Sequence, residues 1–258
     1  MASRIISFIF ISFLFASCNS SRKIAYFENL EDASFKSTLA NVEAPIQKND
    51  ILTITISSLN AEASAIFNPA ANTVTKVATS SGNDALAGGY LVNTDGNIQL
   101  PIIGTIAAAG LTKKQLKENL TNIILEKKLL IDPIVDIRYL NFEVTVIGEV
   151  GRPTVITVPS EKISLIKALG LAGDLTIYGR RDNVLLIREE KGQRITRHID
   201  LNSSEFLNSP YYYLQPNDVI YVEPNKTKVA SSSRSQQIVP IVLSSLSIIV
   251  VVVTSLIK

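Results

Sequence analysis

The chain has 258 residues, enough for one large domain or two small ones with appendages. Its 25 lysines and arginines against 23 aspartates and glutamates leave a net charge of +2, which excludes a global field that would draw in nucleic acid. One cysteine and one histidine exclude a disulfide framework and a zinc cage, while the 46 % hydrophobic content is concentrated at the two ends.

The N-terminus carries Arg4, an apolar run from Ile5 to Phe15, and the small residues Ala16 and Ser17 before Cys18. That pattern reads as a secretory signal peptide over 1–17, too short to span a bilayer. Phe15-Ala16-Ser17-Cys18 resembles the lipobox of bacterial lipoproteins. The resemblance implies that Cys18 is acylated and becomes the new N-terminus, with membrane lipid as its partner. Ordinary cleavage leaving a free thiol is the alternative. Asn19 is not the aspartate that such signals use for inner-membrane retention, which points to the outer membrane. Each buried acyl methylene contributes roughly 0.8 kcal/mol, so several chains anchor firmly. Residues 18–44 are mixed and polar, with scattered Tyr26, Phe27, Leu30 and Phe35, and read as a tether with room for one short helix.

From Ile46 to Leu59 a turn at Asn49-Asp50 feeds a strand in which Leu52, Ile54 and Ile56 alternate with polar residues. Ala61 to Gly88 is rich in Ala, Ser, Thr and Asn and reads as an irregular insertion. Asp95-Gly96 lies between two extended apolar runs and is expected to turn a hairpin. The following strand ends at Pro101, Gly104 permits a second tight turn, and Gly110-Leu111 lead to Thr112 as an N-cap. Leu116, Leu120, Ile123, Ile124 and Leu129 then follow helical spacing until Asp132-Pro133 is expected to stop the helix and Ile134–Tyr139 to begin a strand.

The order Asp95-Gly96, Pro101, Gly104, Gly110-Leu111-Thr112, a helix, then Asp132-Pro133 resembles the export domain of the outer-membrane polysaccharide export (OPX, Wza-like) lipoprotein family. That family carries a Gly-Asp turn before its first strand. Asn49 stands here in place of the glycine, and asparagine is the next best occupant of a left-handed conformation.

A second unit starts at Phe142. Glu143–Ile147 and Thr154–Val158 read as strands about a turn, and Leu165–Leu171 as a helix closed by Gly173. Asn183–Arg188 and Arg194–Ile199 are expected to pair across Lys191-Gly192, and Asp218–Val222 closes the unit. Gly148, Pro153, Gly173 and Asp218 fall in motifs that resemble a soluble-ligand-binding β-grasp (SLBB) domain, the module that follows the export domain in the same family. Ile46–Leu52 and Leu214–Ile220 echo one another as turns feeding buried strands, which we read as convergent turn chemistry.

At the C-terminus, 225–237 reads as a polar linker and 238–257 as about the 20 apolar residues of a transmembrane helix. Ser244, Ser247, Thr254 and Ser255 share one face of it and are pore-lining candidates, or packing positions against a neighbouring helix. More positive charge precedes this span than follows it, which runs against inner-membrane insertion under the positive-inside rule.

Enzymatic constellations are weak. The carboxylates Asp132, Asp136, Glu143, Glu149, Glu161, Asp174, Glu189 and Glu190 sit at turns or on strand surfaces, and there is no tryptophan to stack a sugar. His198 has no second histidine beside it. Arg180, Arg181, Arg188, Arg194 and Arg197 form one basic sector that reads as solubility or a contact surface. Tyr211-Tyr212-Tyr213 reads as a sugar-stacking patch or as a lid over the second core.

The fold class expected is α+β: an export domain over 45–140, an SLBB β-grasp domain over 141–224, a lipoprotein signal and one C-terminal transmembrane helix. The resemblance implies a homo-oligomer ring that exports capsular or extracellular polysaccharide. It also implies an inner-membrane polysaccharide co-polymerase as partner and soluble domains in the periplasm, with no catalysis and no cofactor or metal. A lipid-anchored scaffold or polysaccharide-binding subunit without a pore is the alternative. One SLBB copy stands where larger relatives carry two, so the periplasmic reach is expected to be shorter.

Overall fold

The computed structural model describes residues 26–27, 43–68, 74–78, 84–190 and 192–231, and isolated positions between 238 and 252. In the first half, alternation of apolar and small polar residues builds β1 (Ile51–Ser57), which buries Leu52, Ile54 and Ile56 on one face. β1 lies between β4 (Tyr90–Leu91) and β7 (Ile134–Tyr139), antiparallel to both, with Ile54 opposite Ile137. Helix α2 (Lys113–Glu126) lays Leu116, Leu120 and Ile124 into the same core. Thr112 caps it in a reciprocal box. Its hydroxyl accepts from the Gln115 N–H at 3.2 Å, and Gln115 Oε1 accepts from the Thr112 N–H at 2.8 Å.

Local departures from the sequence expectation have physical causes. Asp95-Gly96 is a tight turn, but it does not join a hairpin: the strand before it, β4, pairs with β1, while β5 (Asn97–Leu100) pairs with β6 (Gly104–Ala107). The hairpin instead turns through Pro101, with the left-handed Gly104 opening its return strand. Where an irregular insertion is expected over 61–88, the described residues contain α1 (Ala61–Ala65), capped by Asn60, and the antiparallel pair β2 (Val74–Ala78) and β3 (Asp84–Gly88). Helix α2 ends at Glu126, well before Pro133. There the Lys128 N–H bonds the Leu125 carbonyl and the Leu129 N–H the Ile124 carbonyl, both at 3.0 Å, with Lys128 at φ 54°. This is a Schellman closure with a lysine where glycine is the usual occupant.

The second half forms a five-stranded sheet from β8 (Glu143–Gly148), β9 (Thr154–Thr157), β10 (Gly179–Glu190), β11 (Gln193–Ile199) and β12 (Val219–Pro224), in the order β11-β10-β12-β8-β9. The last strand enters the middle, parallel to β8 and antiparallel to β10, which is the β-grasp arrangement. Helix α3 (Leu165–Leu171), capped by Ser164, covers the sheet with Leu165, Ala168 and Leu169, and the left-handed Gly173 closes it. Gly148 is obligatory for packing: a Cβ there would lie 2.2 Å from the Val222 carbonyl oxygen. The expected linker after 224 begins instead as helix α4 (Lys226–Ser231), because the Asn225 side chain accepts from the Lys228 N–H at 3.0 Å and caps it.

The Schellman lysine supplies a test. Lys128→Gly removes a left-handed Cβ and is expected to stabilise the protein by about 0.5–1 kcal/mol. A higher urea midpoint at unchanged slope would show it; a lower midpoint would mean the Lys128 side chain matters more than its backbone.

Candidate functional site

The two cores meet at Tyr139, which packs against both. Its ring stands edge-on to Phe142 at 6.3 Å, and the Lys113 ammonium lies 5.5 Å from its centre. Glu161, from the second domain, ties the joint. One oxygen accepts from the Tyr139 N–H at 2.5 Å, and the other pairs with Lys113 at 2.7 Å. The short connection is bonded too. The Leu140 N–H donates to the Ile51 carbonyl at 2.8 Å, and Asn141 Oδ1 accepts from the Ile51 N–H at 2.9 Å. Gln47 reaches across to the Glu189 carbonyl at 2.9 Å. Burial, followed by the charges of Asp50, Glu161 and Glu43, lifts the Tyr139 phenol well above its ordinary pKa.

Beside this joint is a cavity of about 290 Å³ lined by Lys113, Tyr139, Glu161, Arg188, Tyr211 and Tyr213 among others. Arg188 is only 3 % exposed and makes a bidentate pair with Asp218, at 2.9 and 2.7 Å, plus a bond to the Tyr213 carbonyl at 3.2 Å. Burial raises the Asp218 carboxyl above its ordinary range, and Arg188 pulls it back. Arg197 donates to the Tyr211 hydroxyl at 2.8 Å, and the Lys162 ammonium lies 4.4 Å from the centre of the Tyr213 ring. Cations and carboxylates thus face each other around a tyrosine-lined space. Such a surface offers stacking faces and hydrogen bonds but no activated nucleophile.

The expected basic sector is divided: Arg194 and Arg197 lie exposed on β11, while the other three are buried or paired. Arg188 and Arg181 are buried, and Arg180 is paired with Asp182 and Glu223. His198 Nδ1 lies 2.6 Å from Asn183 Oδ1 on an exposed strand. Among the described residues no group of three His, Cys, Asp or Glu could hold a metal. Tyr211 and Tyr212 pack on the second core, while Tyr211 and Tyr213 also face the cavity, so the triplet serves as both lid and lining.

Asp95, Gly96, Pro101, Gly104, Gly110, Thr112 and Pro133 all fall in turns, caps or strand ends of the first domain, and Gly148, Pro153, Gly173 and Asp218 in the second. Cys18, Thr254 and Ser255 lie outside the described residues. Ser244 and Ser247 are described as helical and exposed, and the Ser244 hydroxyl donates to the Ile241 carbonyl at 2.9 Å. Among the described residues no helix is long and apolar enough to cross a membrane, and the expected span 238–257 is described only in part.

Sequence reasoning placed Asp50, the counterpart of Asp218 in the echoed turn, at a turn but missed its burial. It is 1 % exposed, its Oδ2 accepts from the Gln47 N–H at 2.7 Å, and its Oδ1 has no partner among the described residues. Burial pushes its carboxyl up to about 6.

Residues 40–140 match the family described as polysaccharide biosynthesis/export protein, and residues 144–197 match the SLBB domain. The chain is 27 % identical over 141 residues to the EPS I polysaccharide export outer membrane protein EpsA of Ralstonia solanacearum, covering 54 % of this chain and 37 % of that protein. It is 29 % identical over 139 residues to the protein of the same name from Ralstonia nicotianae, covering 52 % and 35 %. The matched stretch thus spans little more than a third of those relatives.

Two predictions follow the buried acids. The folded-state value of Asp50 lies above its ordinary 3.8. The stability that protonation brings is therefore fully present below pH 3.8 and lost as the pH rises through about 6. The change should be about 3 kcal/mol. Asp50→Asn keeps the acceptor for Gln47, so the difference in unfolding free energy between variant and parent should vary across that window; a pH-independent difference would rule out the titration. Arg188→Met strands a buried carboxylate and is expected to cost about 3–5 kcal/mol. Adding Asp218→Asn should recover part of the loss in urea unfolding.

Proposed function

We propose that this chain, which belongs to the outer-membrane polysaccharide export family and carries an export domain followed by an SLBB domain, is a lipid-anchored subunit of a channel for capsular or extracellular polysaccharide. The consecutive matches to those two domains carry the reading, together with relatives named as polysaccharide export outer membrane proteins. Cys18 supplies the acyl anchor in the outer membrane, the two domains stand in the periplasm, and copies of the chain close into a ring. The apolar segment 238–257 contributes one helix per copy to the wall, where an isolated span with hydroxyls on one face gains by association. The protein conducts and does not catalyse. An inner-membrane co-polymerase and the synthesis machinery deliver the polymer.

A scaffold without a pore is the second reading, and one observation favours it. The Ser244 and Ser245 hydroxyls bond back to the carbonyls of Ile241 and Val242, at 2.9 and 2.8 Å. A hydroxyl engaged with its own helix offers less to a water-filled lumen.

Single cysteines at Ser244, Ser247, Thr254 and Val250, in intact cells whose Cys18 is lipidated, discriminate the two. A membrane-impermeant thiol reagent is expected to label the first three and spare Val250. Labelling nowhere, together with a monomeric mass in detergent, would leave only the scaffold.

A further inference from the structure

Both ends of the chain that lead towards a membrane leave the folded body at one loop. The loop runs from Gly173 to Tyr178, between α3 and β10, and Arg181 lies just inside that strand. Its tip is a turn in which the Gly179 N–H bonds the Thr176 carbonyl at 3.0 Å, with Ile177 and Tyr178 at the centre. The Thr176 N–H is held in turn by the Glu149 carbonyl at 3.0 Å.

Tyr26 and Phe27, the described residues of the expected tether, are pinned to the base of this loop. The Tyr26 hydroxyl donates to the Asp174 carboxylate, and the Arg181 guanidinium lies 5.4 Å from the centre of the Tyr26 ring. The Phe27 N–H donates to the Leu201 carbonyl at 3.2 Å, and the Leu201 N–H to the Arg181 carbonyl at 2.8 Å. Cys18 precedes Tyr26 by eight residues, a contour of at most about 28 Å.

The C-terminal segment starts from the tip of the same loop. The Asn225 N–H donates to the Tyr178 carbonyl at 2.7 Å, and its side-chain amide to the Ile177 carbonyl at 3.5 Å. The same side chain caps α4, from which the sequence continues to the apolar run beginning at Ile238. Lys228 on α4 lies 5.0 Å from the Tyr178 ring centre and 3.6 Å from Glu149.

We infer that this corner, with Ile177 at its tip, is the face of the protein that rests against the headgroup layer of a phospholipid bilayer. Two attachments to one plane through short segments hold their common origin close to that plane. The corner also has the chemistry of an interfacial contact. Ile177 is 59 % exposed, Leu171 at the end of α3 is 49 % exposed, and Tyr178, Lys226 and Lys228 surround the tip. Its carboxylates Asp174, Glu149, Asp182 and Glu223 are all hydrogen-bonded or ion-paired within the corner, and Arg180, Arg181, Lys226 and Lys228 balance their number. The inference rests on the anchored reading proposed above and adds which surface the anchors bring down.

The test uses the full-length, lipidated protein in vesicles of phosphatidylethanolamine and phosphatidylglycerol. With Cys18 acylated, Ile177→Cys provides a single reactive thiol for an environment-sensitive fluorophore, and Leu59→Cys, exposed on the first domain, provides the reference. The label at 177 is expected to emit at shorter wavelength and to lose intensity to a nitroxide carried on the lipid headgroup, while the label at 59 does neither. Protein that floats with the vesicles but responds alike at both positions overturns the inference and leaves the anchor intact. Protein that does not float overturns the anchored reading, and the inference with it.

Discussion

In both domains the central strand is entered through the same turn, and the aspartate that closes it is taken fully out of water. Asn49 and Asn217 sit at φ 69° and 66°, and the following aspartate accepts from the N–H of Gln47 or Gln215 at 2.7 Å in each. The asparagine N–H then donates to a neighbouring carbonyl, that of Val92 just past β4 in one domain and of Glu143 on β8 in the other, both at 2.8 Å. The aspartate's own carbonyl receives the N–H of Val92 or Thr145. A strand that enters the middle of a sheet has to satisfy its backbone on both sides from its first residue. A short carboxylate folded back three residues does this without extending the turn, and asparagine tolerates the left-handed step that makes room for it. β1 and β12 occupy central places in their sheets because their entrances are built this way.

The two copies differ in what answers the buried charge. Asp218 has Arg188, held on β10 with its fork matched to both oxygens. Asp50 has only the turn N–H and one oxygen with no protein partner among the described residues. A buried ion pair fixes geometry because neither member can leave alone. A lone buried carboxyl relieves its cost by taking up a proton. The second domain is thus locked at this point at any neutral pH, whereas the first holds a group that responds to acidification, close to the Tyr139 joint whose phenol feels its charge.

Much of this was legible from periodicity. Leu116, Leu120 and Ile124 announced the buried face of α2, Thr112 its cap, and Leu52, Ile54 and Ile56 the inward face of β1. Partner choice was not legible. Asp95-Gly96 signals a turn, but a local signal does not say that the strand before it will pair with β1 rather than with the strand after it. Charge alone groups Arg188 with the other arginines, although Val184, Leu186 and Arg188 alternate inward on β10 and strand parity places it in the core. The docking of Tyr26 and Phe27 had no periodic signal: two aromatics in a polar stretch acquire a place only once Asp174, Arg181 and Leu201 have been brought together.

The joint and the corner lie at opposite ends of the same pair of strands. β8 and β12 are parallel, so both start on the side of the domain junction, where the Asn217 N–H meets the Glu143 carbonyl. Both end beside the loop from Gly173 to Tyr178, where Glu149 holds Thr176 and Asn225 holds Tyr178. Six residues of strand measure about 20 Å, and a hydrogen-bonded pair at the centre of a five-stranded sheet resists bending over that length. Tyr139 with Glu161, Ile51 with Asn141, and Gln47 with Glu189 bond the first domain to the second, which leaves little freedom at the joint. In the proposed assembly each SLBB copy is therefore a strut of fixed, short length between the bilayer and the export domain. Compliance has to come from the segments outside it, and the distance to the inner membrane has to be covered by other proteins.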